Sequence, residues 1–123
     1  MSANTHAFSS FAVDDIETAR SFYGETLGLT VSDGPMGVLS LDLAGGRSTM
    51  VYPRPDFAPA TYTVLNFPVD DVDAAVDELT SKGIQMERYD GFDQDEKGIL
   101  RDDGPTIACF RDPAGNILSV LQS

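Results

Sequence analysis

At 123 residues and 41% hydrophobic, with no run of about 18 apolar residues, the chain reads as one soluble, cytoplasmic domain without membrane span or signal peptide. Its 20 acidic against 8 basic residues give a net charge of −12, which excludes nucleic acid and membrane partners by repulsion and describes a solvated surface. The single cysteine excludes an internal disulfide, and Cys109, set in an apolar run, reads as a buried, inert thiol.

In chain order, Thr5 to Val13 alternates as a strand. Asp14 or Asp15 then caps a helix whose apolar positions are Ile16, Ala19, Phe22, Tyr23 and Leu27, and Gly28 ends it. Three short β-rich pieces follow, Leu29 to Ser32, Gly37 to Leu43 and Ser48 to Tyr52, joined by Asp33-Gly34-Pro35 and Ala44-Gly45-Gly46 turns. Pro53, Pro55 and Pro59 make 53–60 a stiff connector that is neither helix nor central strand.

The pattern then begins again. A strand from Tyr62 to about Val69 leads to an Asp70 or Asp71 cap, a helix with Val72, Ala75, Val76 and Leu79 on one face, and a stop at Gly83. Strands are predicted at Gln85 to Tyr89, Pro105 to Arg111 and Ile117 to Leu121, the last two joined by the turn Asp112-Pro113-Ala114-Gly115-Asn116. Phe11-Ala-Val-Asp-Asp-Ile-Glu-Thr-Ala19 indeed returns as Phe67-Pro-Val-Asp-Asp-Val-Asp-Ala-Ala75, 56 positions on. A repeat of that length is too long for a solenoid unit and too short for a domain, so the prediction is one domain of two βαβββ modules, 5–52 and 62–121.

The register shows where the halves differ. Gly28 matches Gly83 at an offset of 55, but Gly46 matches Gly115 at 69, so the second half carries 14 extra residues. They fall in the polar stretch 89–104, and Phe92 and Ile99 within it suggest a lid with apolar residues that need somewhere to pack. No Asp-x-Asp-x-Asp-Gly run supports a calcium loop. Phosphate-binding glycine loops, Gly-x-Ser-x-Gly and Cys-x-x-Cys are also missing from the sequence.

Residues 13–29, Val-Asp-Asp-Ile-Glu-Thr-Ala-Arg-Ser-Phe-Tyr-Gly-Glu-Thr-Leu-Gly-Leu, and Phe110-Arg-Asp-Pro-Ala-Gly-Asn-Ile-Leu-Ser-Val-Leu-Gln122 resemble the vicinal oxygen chelate superfamily of glyoxalases, bleomycin-resistance proteins and extradiol dioxygenases. The resemblance implies an α+β fold in which two tandem βαβββ modules form a curved, cup-like mixed sheet with helices outside, and a homodimer. Catalytic members hold a divalent metal on His, Gln or Glu side chains from the first and last strands of each module, where it polarises a substrate oxygen.

Carried over residue by residue, the ligand positions are Phe8 and Val64, each seven residues before the helix-starting aspartates Asp15 and Asp71, together with Ser119 and its first-half equivalent Met50. That set offers a hard or borderline cation one thioether and one hydroxyl, so neither a metal nor another cofactor is expected. His6, the only histidine, reads as a surface residue.

Strand alternation turns Phe8, Ser10, Met50, Tyr52, Val64, Asn66, Ser119 and Leu121 into the cup, with Phe92 of the lid beside them, and Arg54 and Arg101 as rim charges. Phe11, Val13, Leu65, Phe67, Val69, Leu118 and Val120 face the helices as core. An apolar, aromatic lining with a few neutral polar groups suits a small apolar or aromatic organic ligand. The expected function is metal-independent binding of such a ligand, for carriage or for sequestration and resistance. The alternatives are a glyoxalase-like lyase, isomerase or dioxygenase with displaced metal ligands or metal-free acid–base chemistry through Asp42, Asp90 or Tyr52, and a filled module that serves only to dimerise.

Overall fold

The computed structural model describes residues 3–101 and 104–122, and the chain divides into two compact units, Met1–Pro59 and Ala60–Ser123. In the first, strand β1 (Ser9–Val13) is followed by helix α1 (Ile16–Ser21), β2 (Thr30–Asp33), β3 (Leu39–Leu43) and β4 (Arg47–Pro53). Asp15 caps α1 by accepting from the Glu17 and Thr18 amides, which would otherwise be orphaned at the helix start. A π turn over Phe22–Thr26 continues α1, and the consecutive Phe22 and Tyr23 are both buried. Gly28, at φ 76°, then turns the chain in a conformation that costs other residues a steric penalty.

The four strands form one sheet in the order β1-β4-β3-β2, parallel only between β1 and β4. Phe11 meets Tyr23 with ring centroids 5.8 Å apart, so the Phe11 and Val13 side of β1 faces the helix. By register that side continues through Thr49, Val51, Leu39 and Leu41, all buried.

The second unit repeats the plan with β5 (Thr63–Pro68), α2 (Val72–Ser81), β6 (Thr106–Arg111) and β7 (Ile117–Gln122) in the order β5-β7-β6, parallel between β5 and β7. Asp71 caps α2 through the Ala74 amide, and Gly83 at φ 86° ends it, with the Ile84 amide returning to the Leu79 carbonyl. Gln122 Oε1 accepts from the Val72 amide, so the even-numbered side of β7, with Leu118 and Val120, faces α2. The caps and the parallel outer pair repeat between units, whereas the bonds just past them run in opposite senses: the Arg54 amide after β4 donates to the Val13 carbonyl of β1, and the Val69 amide after β5 donates to the Leu121 carbonyl of β7.

Three predictions differ from the structure. The first strand starts at Ser9 rather than Thr5, leaving Phe8 just outside it. β5 carries a register shift between Thr63 and Leu65, so Val64 is an extra residue without a cross-strand partner. Gln85 to Tyr89 is not a strand: only Met86 bridges to Phe110, and the Glu87 amide reaches the Cys109 carbonyl. Its other edge is taken by the Gln94 side chain, whose Oε1 accepts from the Tyr89 amide while Nε2 donates to the Glu87 and Gly98 carbonyls. With those groups satisfied by an amide, no ladder forms there.

Candidate functional site

Of the predicted inward residues, Ser10, Met50, Tyr52, Asn66, Ser119 and Leu121 lie on the sheet sides turned from the helices, whereas Phe8 precedes β1 and Val64 sits in the bulge of β5. In the first unit Ser10 pairs with Met50, Met50 with Ser40 and Ser40 with Ser32, making one cross-strand row. Beside it Asp42 accepts from Ser32 Oγ at 2.7 Å and from Ser40 Oγ at 3.2 Å. Tyr52 lies opposite Ala12, and both Met50 and Tyr52 are half-buried. Phe8 is 65% exposed ahead of β1, so the structure gives it no place in this row. Arg54 is paired with Asp56.

In the second unit Asn66, Ser119 and Cys109 form a row across β5, β7 and β6, next to Pro68, Leu121 and Ile107. Ser119 is fully buried and its Oγ donates to Asn66 Oδ1 at 2.6 Å. Leu121 also lines a hollow of about 430 Å³ with Pro68, Val69, Asp70 and Gln122, where β5 and β7 end. Beside Cys109 stands Tyr89, a residue that the sequence reading left out of the site. Burial pushes the Cys109 thiol above its ordinary value despite hydrogen bonds with the Tyr89 and Thr63 side chains, so it is not a thiolate nucleophile at neutral pH. Burial, then the neighbouring Cys109, likewise raises Tyr89. The signal was available in the Thr106–Arg111 alternation, since buried Ala108 and Phe110 turn Cys109 to the opposite side.

The polar excursion is fastened rather than loose, although 102–103 lie outside the described residues. Ile99 is 0% exposed, and Leu100 bridges to Ile107 of β6. Asp95 Oδ1 accepts from the Lys97 and Ile99 amides at 2.9 Å each, and its Oδ2 meets Arg101, which also reaches Asp73 of α2 at 2.8 Å. Lys97 pairs with Asp77 and Asp73 of the same helix. Arg101, predicted at a rim, is thus spent on holding the excursion to α2. Phe92 remains 61% exposed and touches only the Tyr89 ring edge among the aromatic contacts described, with centroids 6.5 Å apart.

This fastening depends on acid. The Arg101 guanidinium holds the Asp73 carboxyl below the usual range. For Asp95, burial pushes up, but hydrogen bonds from the Ile99 amide, Arg101 and the Lys97 amide outweigh it and keep the group low. A depressed folded value means that the unfolded chain binds the proton more readily. The contribution is therefore complete above the unfolded value near 4, and is lost as the pH falls through the lowered folded value. Hydrogen exchange is expected to show the Lys97 and Ile99 amides losing protection as the pH falls below the unfolded value and through the lowered folded value of Asp95. Unchanged protection would mean that Asp95 does not hold the turn.

The metal positions can now be tested against their donors. Phe8 and Val64 offer none, Met50 offers a thioether, and the buried Ser119 hydroxyl is already bonded to Asn66. These residues do not fit a divalent cation. Among the described residues no group of three or more His, Cys, Asp or Glu side chains is arranged to hold one elsewhere. No helix among them is long and apolar enough to cross a membrane.

The family model for the Glyoxalase/Bleomycin resistance protein/Dioxygenase superfamily matches residues 5–120. The chain belongs to that superfamily. Among solved structures, this superfamily member is similar to TnmS3, an antibiotic binding protein from Streptomyces sp. CB03234, at 27% identity over 99% of this chain and 98% of that one, with a TM-score of 0.72. A glyoxalase/bleomycin resistance protein from the same organism is also 27% identical, over 94% and 100% of the two chains, with a TM-score of 0.66. A superfamily member from Sphaerobacter thermophilus DSM 20745 shares the fold at 20% identity over 97% and 98%, with a TM-score of 0.72. No curated protein matches the chain.

Proposed function

We propose that this superfamily member is a metal-independent small-molecule-binding protein of the sequestration or resistance type, whose ligand is an apolar or aromatic organic molecule. The observation that carries the reading is the donor set: the positions where catalytic relatives hold a metal are Phe8, Met50, Val64 and Ser119, and the only hydroxyl among them is committed to Asn66. On its helix-free sheet side the first unit carries a thioether, a phenol ring and a hydroxyl at Met50, Tyr52 and Ser10, and the second carries an aliphatic group and an amide at Leu121 and Asn66, the amide bonded to Ser119. Surfaces of this composition recognise ligands by apolar contact with a few placed hydrogen bonds. The likeness to TnmS3, described as an antibiotic binding protein, supports the same reading. Phe92, carried on the fastened excursion, supplies an exposed ring to stack on the ligand. The proposal places the protein in the cytoplasm as a homodimer.

Because the chain has no tryptophan, the fluorescence of a naphthalene ligand excited above tyrosine absorbance reports binding without background. Titration with 2-ethylnaphthalene, with and without EDTA, is expected to give saturable binding with the same Kd in both. Binding that vanishes with EDTA and returns with nickel, zinc, iron(II) or manganese would favour the metal-dependent enzyme instead.

A further inference from the structure

Ser119 and Asn66 hold more information than their proximity. Ser119 is fully buried, and a buried hydroxyl proton must find an acceptor or forfeit the full cost of its desolvation. The one partner described for it is Asn66 Oδ1, at 2.6 Å, and no buried side-chain nitrogen or oxygen among the described residues lacks a partner. The proton therefore goes to Asn66, and the reverse arrangement, in which the amide donates to Oγ, would leave that proton with nothing to bond.

This fixes which end of the amide is which. With Oδ1 turned to Ser119, Nδ2 carries two N–H donors away from it, on an exposed residue of the helix-free side of β5. The described structure gives the Asn66 side chain no second hydrogen bond.

We propose that Asn66 is a specificity-determining donor, oriented by Ser119, for a carbonyl or comparable neutral acceptor oxygen on the ligand. The inference rests on the binding function proposed above and names the group that the ligand must carry. Ser119 stands at a position where catalytic relatives would place a metal ligand. Here it is a positioning residue that aims an amide at the ligand oxygen. The adjacent Cys109 and Tyr89 are polar but uncharged, which favours a neutral acceptor over an ion.

The test compares 2-acetylnaphthalene with 2-ethylnaphthalene, which match in ring and length and differ in the carbonyl, by equilibrium dialysis. The wild-type chain is expected to prefer the ketone by about five- to tenfold, the worth of one well-placed hydrogen bond. Asn66→Asp keeps the side-chain size and the bond from Ser119 but turns donors into acceptors, so the ratio of the two affinities falls to unity or reverses. Ser119→Ala frees the amide and lowers the preference, and Ser119→Thr, which keeps the hydroxyl, retains it; a purely structural serine would alter both affinities together. Equal binding of both compounds by the wild type, or a preference untouched by Asn66→Asp, overturns the inference and leaves the binding function standing. No binding of either compound overturns both.

Discussion

Replacing Ile99 with alanine is expected to lower the unfolding free energy by about 2–4 kcal/mol, whereas Phe92→Ala changes it by less than about 0.5 kcal/mol. Both residues are large and apolar and lie seven positions apart in the same polar excursion, but Ile99 is fully buried and Phe92 is not. The first substitution removes transfer energy and leaves a cavity beneath a segment that is already pinned at Asp95, Gln94 and Leu100. The second removes a ring that is mostly in water. Urea unfolding of the two variants measures the contrast. Equal, small effects would mean that 90–101 moves as a free lid.

Tyr23→Ala is expected to cost more, about 3–5 kcal/mol, enough to unfold a chain of marginal stability. Tyr23 is 0% exposed, and its ring lies 5.8 Å from Phe11 and 5.1 Å from Phe22, the latter edge-on. The substitution removes a buried ring and two favourable aromatic pairs together. Thermal unfolding with a melting temperature within a few degrees of wild type would contradict this placement.

The parts of the fold that depend on local chemistry were legible in the sequence. Asp15 and Asp71 cap their helices, and Gly28 and Gly83 stop them, because orphaned amides and a left-handed turn demand those residue types. The side of each strand followed from alternation, as Phe11 against Tyr23 and Gln122 against Val72 demonstrate. The π turn at Phe22–Thr26 left no such mark, since its residues suit an ordinary helix equally well.

Segment 85–89 illustrates a different limit. It has strand composition, but the Gln94 amide and the close seat of Gly98, where an added Cβ would come 3.2 Å from Met86 Cβ, occupy its outer edge. Such tertiary competition has no local signature. For the site, counting back from the aspartates reached Phe8 and Val64, yet one lies before its strand and the other in a bulge, and a count of residues cannot register an extra one. Asn66 and Ser119 fall on the side that alternation assigned them because both lie in regular strand, and their hydrogen bond appeared only with the structure.

Metal independence of the binding site is open to direct measurement by elemental analysis of untagged protein, purified without chelators and challenged with nickel, zinc, iron(II) and manganese. After dialysis only trace metal is expected in every case. Near-stoichiometric retention of any of the four would contradict it, and would place donors where Phe8, Met50, Val64 and Ser119 offer none.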